Sequence, residues 1–302
     1  MIRPRRTREG AALLVVLILV AILSIVAVVV LDDVRFSIRR AQNVEVQTQS
    51  QWIALGAERL ARRRIRQLVT ADAGRTPAPD QWDGRRFDFP IEGGSLSLTV
   101  RDGQSCFNLN GVVEGAPGAW LPNPVGQAQF GAFLRGIGVS APGLAEAVTD
   151  RITASGALLV EPSELRALPS MDEATYRRLR PFVCALPVAE LSRFNVNSLT
   201  PDDAPLLAML APDQLTLDAA RSAIAARPAG GWADIDAFWA SPALAALALT
   251  QAEREQATVV TRYFDFDAQV AWAGGEASRS GLIEVGRDGR VRSVLSRWAP
   301  AD

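Results

Sequence analysis

The chain has 302 residues, 48% of them hydrophobic and 22% charged, with a formal net charge of −1. That is longer than one average domain and ordinary in composition, and a near-neutral balance gives no reason to expect a nucleic-acid binder. There is no His, which removes Ser-His-Asp and Cys-His catalysis and every imidazole metal site.

The first element is a hydrophobic run. From Ala11 to Leu31 nothing is charged and nothing is more polar than Ser24. At ~1.5 Å per residue it spans roughly 30 Å, the thickness of a bilayer core. Arg3, Arg5, Arg6 and Arg8 precede it, and Asp32 and Asp33 follow it. Positive charge stays on the cytoplasmic side, so the N-terminus is expected inside and the rest of the chain outside, a single-pass topology. The run is too long for the core of an ordinary cleaved signal peptide, and no small-x-small site follows it.

Helical spacing continues beyond the run. Val34, Ile38 and Ala41, then Ile53, Ala57, Leu60, Ala61, Ile65 and Leu68, recur at intervals of a 3.6-residue period, and no Pro interrupts them. The spacing predicts one helix from about Ala11 to Val69, roughly 90 Å long. Gly56 is its one weak point. Its outer half would present an apolar stripe to a domain, with Arg59, Arg62, Arg63 and Arg66 on the opposite side. Those arginines read as a solvated face or as a contact for an acidic partner.

After Thr76-Pro77-Ala78-Pro79 the pattern changes. Gly94–Val100 alternates as a half-buried strand does; Val270–Trp272, Gly281–Val285 and Arg290–Trp298 also have strand character, with an Asp288-Gly289 hairpin turn between the last two. Between these β regions lies an Ala/Leu-rich helical stretch, roughly 112–255. Its helix starts are marked by Ser170 with Glu173, a capping box, and by Thr200-Pro201-Asp202-Asp203; Pro228 with Gly230-Gly231 ends another helix. The expected fold is α+β: a long N-terminal helix on a small antiparallel sheet, with a large inserted all-α domain. The divisions expected are 1–10 leader, 11–31 membrane half and 32–72 outer half of the helix, 80–111 with 256–302 for the β part, and 112–255 for the insert.

The junction Arg8-Glu9-Gly10-Ala11-Ala12-Leu13-Leu14, followed by an unbroken membrane helix, resembles the class III leader of type IV pilins and pseudopilins. Phe107-Asn108-Leu109-Asn110 after Cys106, Ser163-Glu164-Leu165 and Phe194-Asn195-Val196-Asn197 carry the resemblance further. Together they resemble one pseudopilin family, general secretion pathway protein K, over nearly the whole chain.

The resemblance implies a type II secretion minor pseudopilin in the inner membrane with its main domain in the periplasm. It implies cleavage after Gly10 by the prepilin peptidase and methylation of Ala11. The partners implied are minor pseudopilins I and J and the major pseudopilin, at the tip of a filament that helps export folded proteins. No catalysis and no nucleic acid are implied. Major pilins carry Glu at the fifth mature position, where this chain has Val15. A carboxylate in lipid needs a partner, and an end subunit lacks a neighbour on one side, so the departure argues for a cap.

Family members bind calcium through an acidic loop in the helical domain. Here Asp150 is followed by Glu161-Pro162 with no further acid between. Calcium takes six to eight oxygen ligands. Asp150 and Glu161 cannot supply that shell, so no cofactor is expected.

Cys106 and Cys184 are the only cysteines. In an oxidising compartment they are candidates for a disulfide, with two free buried thiols as the alternative; closing roughly 80 residues would contribute about 4 kcal/mol. Asn108, Asn110, Asn195 and Asn197 either line a pocket or, the stronger reading, tie loop backbone. Trp232, Phe238 and Trp239 read as core ahead of a partner-binding rim. Leu134-Arg135-Gly136-Ile137-Gly138 resembles the hairpin of helix-hairpin-helix DNA binders, which makes a membrane-anchored DNA-binding protein of competence type the alternative function. The absence of a basic cluster beside that turn weighs against it.

Overall fold

A computed structural model describes residues 6–72, 74–169 and 171–299. One helix, α1 (Arg6–Ala71), runs without interruption for 66 residues. Gly56 does not break it, and an added Cβ there would meet nothing within 4 Å. Of the described residues, Ala11–Ala71 is the one helix long and apolar enough to cross a membrane. The leader's residues 1–5 lie outside the described residues.

A short 3-10 turn (Pro79–Gln81) leads to β1 (Arg86–Ile91) and β2 (Gly94–Asp102). The chain then leaves the sheet through β3 (Phe107–Asn108), β4 (Val113–Ala116) and β5 (Ala119–Pro122). Helices α2 (Pro124–Gly136), α3 (Leu144–Ser155) and α4 (Glu173–Leu179) follow, then β6 (Val183–Cys184) and β7 (Phe194–Asn195). After α5 (Ala204–Ala208), α6 (Leu217–Ala225), α7 (Ile235–Trp239) and α8 (Gln251–Arg254), β8 (Ala257–Thr258) returns the chain. The sheet is completed by β9 (Tyr263–Trp272), β10 (Gly275–Val285) and β11 (Val291–Arg297), in the order β1-β2-β9-β10-β11, antiparallel throughout.

Alternation decides which face of the sheet meets the helix. Leu96, Leu98 and Val100 of β2 and Phe264, Phe266, Ala268 and Val270 of β9 point to one side and form a buried cluster with Ala54, Ala57, Ala61, Ile65 and Leu68 of α1. Three of those five helix residues are Ala, so the helix backbone can lie close to the strands. Trp82 closes one end of this core, fully buried, its ring 5.3 Å from Phe264 and its indole N–H donating to the Pro77 carbonyl at 3.0 Å. Glu58 pins the same helix face: Arg279 of β10 pairs with it at 2.6 Å and the hydroxyls of Ser293 and Ser296 of β11 donate to it.

A second, larger core holds the insert together around Phe107, Leu109, Phe130, Phe133, Phe194 and Phe238.

Four expectations change. The insert is not all-α: β3 pairs with β6 and β7 with β8, both parallel, and β4 with β5 antiparallel. Phe107 and Leu109 already belong to the insert's core, so the insert takes in residues assigned to the sheet part. Val34, Ile38 and Ala41 extend no stripe onto the domain. They lie bare, because the helix first meets the sheet near Val46 and Ser50, beside Gly275. Ser170 lies outside the described residues, and the helix expected from it begins at Glu173, capped by Asp172, which accepts from the Thr175 N–H at 2.6 Å. The Thr200 signal does cap its turn: the Thr200 N–H donates to Asp203 at 2.8 Å. β1 was not foreseen, although Phe87, Phe89 and Ile91 alternate.

The Glu58 cluster gives a test. Burial alone would raise this carboxyl, but Ser293 and Arg279 outweigh burial and hold it below its ordinary value of 4.5. A lowered folded pKa contributes stability that is complete above the unfolded value and is lost as pH falls through the folded one. Glu58→Gln leaves Arg279 without its counter-charge and should cost about 3 kcal/mol at pH 7. In thermal melts of the detergent-solubilised chain, the gap from wild type should close as the pH falls below 4.5.

Candidate functional site

Two chain segments connect the sheet to the insert, and the polar side chains between them define the junction. Gln104 on the outgoing segment grips the returning one: its amide N–H donates to the Val260 carbonyl at 3.0 Å and its oxygen accepts from the Arg262 N–H at 2.8 Å. Asp102, the last residue of β2, accepts from the Gln104 and Ser105 N–H groups and from the Thr261 hydroxyl at 2.6 Å. Thr261 is also reached by the Asn195 amide at 2.9 Å, and its own N–H donates to Thr76 at 2.7 Å. Nothing in the sequence marks these residues. They are single polar side chains roughly 160 positions from their partners.

The motif asparagines sit in two knots, fully buried. Asn108 donates to the Val188 and Glu190 carbonyls, each at 3.0 Å, and accepts from the N–H groups of Asn110 and Leu186. Asn110 donates to the carbonyls of Leu159 and Leu186 and accepts from the Leu159 N–H. Asn195 accepts from the Asn197 N–H, and Asn197 ties both backbone groups of Trp232. Apart from the Asn195 bond to the Thr261 hydroxyl, the hydrogen bonds of these side chains go to backbone, so they hold loops and leave little for a ligand. Phe107, next to Asn108 on β3, stacks on Phe130 at 4.6 Å. Phe238 and Trp239 are core, with Trp232 half-buried against them.

Cys106 and Cys184 are joined in a disulfide, Cα atoms 5.8 Å apart, beside the Asn108–Cys184 register pair of β3 and β6. The bond forms one wall of an open cleft of about 440 Å³ between the outer sheet face and residues 160–186. Arg101, Arg180, Asp265, Glu161 and Arg297 line it. Glu161 bridges the cleft to Arg297 of β11 at 2.8 Å and accepts from the Ser163 hydroxyl.

That pairing bears on calcium. Asp150 is exposed on α3, and Glu161 is already charge-compensated by an arginine. The remaining acid of the segment, Glu164, accepts from the N–H groups of Val160 and Glu161 and lies 3.8 Å from Arg151. No group of three or more acidic or cysteine side chains suited to a metal occurs among the described residues. This donor set does not fit calcium.

The helix-hairpin-helix segment is likewise committed elsewhere. The N–H groups of Ile137, Gly138 and Val139 donate to the carbonyls of Phe133, Arg135 and Leu134, closing α2. A Cβ at Gly136 would meet Pro205 at 3.0 Å, so this glycine serves packing. Backbone amides consumed in a helix end are not free for phosphate.

The residues expected at the processing junction stand apart. Gly10, Ala11 and Val15 lie in the first turns of α1, far from either core, and Val15 is 59% exposed.

Comparisons with known proteins agree on one family. Profiles described as type II secretion system (T2SS), protein K match residues 105–188 and 194–260. A type II secretion system protein K of Klebsiella pneumoniae is 31% identical over 96% of this chain and 96% of its own length. That of Pectobacterium carotovorum subsp. carotovorum is 29% identical, covering 97% of each. The fold is similar, at a TM-score of 0.72 and 23% identity, to a chain in the solved GspK-GspI-GspJ complex of the enterotoxigenic Escherichia coli type 2 secretion system. The likeness covers 87% of this chain and 100% of that one.

The junction's acid should register in the pH dependence. Burial, only partly offset by Thr261 and the Gln104 N–H, pushes Asp102 up from 3.8 to about 6. Burial raises Asp83 and Asp203 as well. A raised folded pKa contributes stability that is present below the unfolded value and lost as pH rises through the folded one. The wild-type chain should therefore melt higher at pH 5 than at pH 7. Asp102→Asn should raise stability at pH 7 by about 1–2 kcal/mol and flatten the curve between these pH values. A melt series of both proteins checks this.

Proposed function

We propose, on the premise that the chain belongs to the type II secretion system protein K family, that it is the end subunit of a pseudopilus and works by assembly, not catalysis. As a minor pseudopilin of that family it has one apolar N-terminal helix and a large domain carried on it. The observation that carries the reading is the division of α1. Its first 35 residues after Gly10 face no other part of the chain, and only the stretch from about Val46 onward is seated on the sheet. A helix bare over that length is built to be covered by something else: lipid before assembly, neighbouring helices after it.

On this reading the N-terminus is cytoplasmic and the domain periplasmic. The prepilin peptidase cuts between Gly10 and Ala11 and methylates the new amine, and the freed subunit is drawn into the filament. Val15, in place of the filament-core Glu, suits a subunit with nothing above it. The likeness to a chain of the GspK-GspI-GspJ complex supports minor pseudopilins I and J as partners, with the major pseudopilin below them. Together they would initiate and cap a filament that supports export of folded proteins across the outer membrane. The helical insert is taken to need no calcium, since Arg297 already neutralises Glu161.

Two measurements bear on these points. Intact-mass and N-terminal analysis of the chain extracted from membranes of a prepilin-peptidase strain should give a methylated Ala11 terminus. Gly10→Val should leave Met1 in place and abolish secretion; an unprocessed wild-type chain would reduce α1 to a simple anchor. Thermal melts with millimolar calcium and with chelator should coincide, whereas a rise of more than roughly 3 °C with calcium would reveal a bound ion.

A further inference from the structure

The face of α1 turned away from the sheet carries three features that each weaken an isolated helix or surface. Trp52 is 64% exposed. Gly56 sits mid-helix where a Cβ would meet nothing, although Gly costs helix stability relative to Ala. Arg59, Arg62, Arg63 and Arg66 stand three and four residues apart, a spacing at which like charges repel along a helix. At 3.6 residues per turn, Trp52, Gly56, Arg59, Arg63 and Arg66 fall within an arc of roughly 80°. Ala54, Ala57, Ala61, Ile65 and Leu68, the residues buried on the sheet, lie on the opposite side.

The chain does not balance this charge itself. The ion pairs on and beside α1 among the described residues are Asp32–Arg35, Asp72–Arg75 and Glu58–Arg279. Glu58 is on the other face and taken by Arg279, and Asp72, six residues beyond Arg66, is taken by Arg75. Nor do lipid headgroups reach it. From Leu31 to Arg59 the helix rises roughly 40 Å, several times the ~8 Å over which charge acts at physiological salt. Mobile salt ions screen the row in solution; a fixed counter-charge is left for a protein partner to supply.

We propose that Trp52, Gly56, Arg59, Arg63 and Arg66 form a docking surface for a carboxylate-rich face of a neighbouring pseudopilin. Trp and Arg are the residues that dominate binding energy at interfaces. Gly56 makes a flat spot between the indole and the first guanidiniums, where a partner backbone can cross the helix closely. The arginines select an acidic partner and steer its approach, so association should be strongly salt-dependent. This rests on the assembly reading above, and specifies which face of the shaft a partner uses and what chemistry that partner presents.

The test uses the full-length chain, processed and held in detergent micelles, against purified minor pseudopilins I and J and the major pseudopilin of the same system. The wild-type chain should bind at least one of them, with affinity falling as salt rises. Arg59→Glu with Arg63→Glu and Arg66→Glu should weaken that binding about tenfold or more and remove most of its salt dependence. Arg→Lys at the same three positions should retain most of the binding, and Trp52→Ala should weaken it without changing the salt dependence. Lys or Arg in place of the partner's facing carboxylates should restore binding to the Glu variant. All variants should melt as wild type does, because none of these side chains enters the core. If the wild type binds none of the three probes, the assembly reading itself fails. If it binds but charge reversal changes nothing, or if this face instead pairs two copies of the chain, the docking proposal is overturned.

Discussion

The seating of α1 on the sheet is the contact on which the remaining architecture depends. Ala54, Ala57 and Ala61 bring the helix backbone close to β2 and β9, and Ile65 and Leu68 fill the space beyond them. The same strands carry the insert at their ends, since the chain leaves at Asp102 and returns at Tyr263. If the alanines were larger, the helix would ride higher and lose Trp82, Phe264 and the Glu58 pocket together. The apolar core supplies the adhesion and is non-directional. Glu58 supplies the register: its carboxylate is met by a guanidinium from β10 and two hydroxyls from β11, a set that exists at one axial position of the helix.

Seen this way, α1 is two helices in one. Up to about Glu45 its side chains are chosen for an environment outside the chain, and from Val46 its inner face is chosen for the sheet. This explains why periodicity alone revealed the helix but not its use. Val34, Ile38 and Ala41 have the spacing of a packed stripe, and spacing records that a face is apolar without recording what covers it. A hydrophobic stripe that meets a partner chain and one that meets its own domain have the same signature. The difference lies in the sheet, whose turn at Gly275 ends beside Val46.

The insert was legible in kind and less so in extent. Apolar periodicity and caps such as Thr200 mark helices because they act over three or four residues. The short parallel pairs β3–β6 and β7–β8 join segments more than sixty residues apart and two residues long, too brief to impose alternation. The same limit hid the junction. Asp102, Gln104 and Thr261 are unremarkable in sequence and act only through partners on the far side of the insert. The asparagine motifs were visible as motifs, and their role followed from what an amide can do: it donates and accepts at once, so one buried Asn can hold both edges of a passing loop. Asn197 does this with Trp232, and Asn108 and Asn110 share the segment 186–190.

The cleft between sheet and insert is fastened by an ion pair between Glu161 and Arg297. A loop bearing carboxylates near another domain needs positive charge to stay there, because an enclosed carboxylate without a counter-charge is costly. A divalent ion supplies that charge but requires six to eight oxygens gathered around it. An arginine requires only one or two and arrives covalently attached to its strand. Here Arg297 reaches Glu161 from β11, and its Nε donates to Ser280 on the neighbouring strand. Glu164 turns inward to cap its own loop. With the disulfide forming the adjoining wall, the loop is held by bonds that do not depend on metal supply.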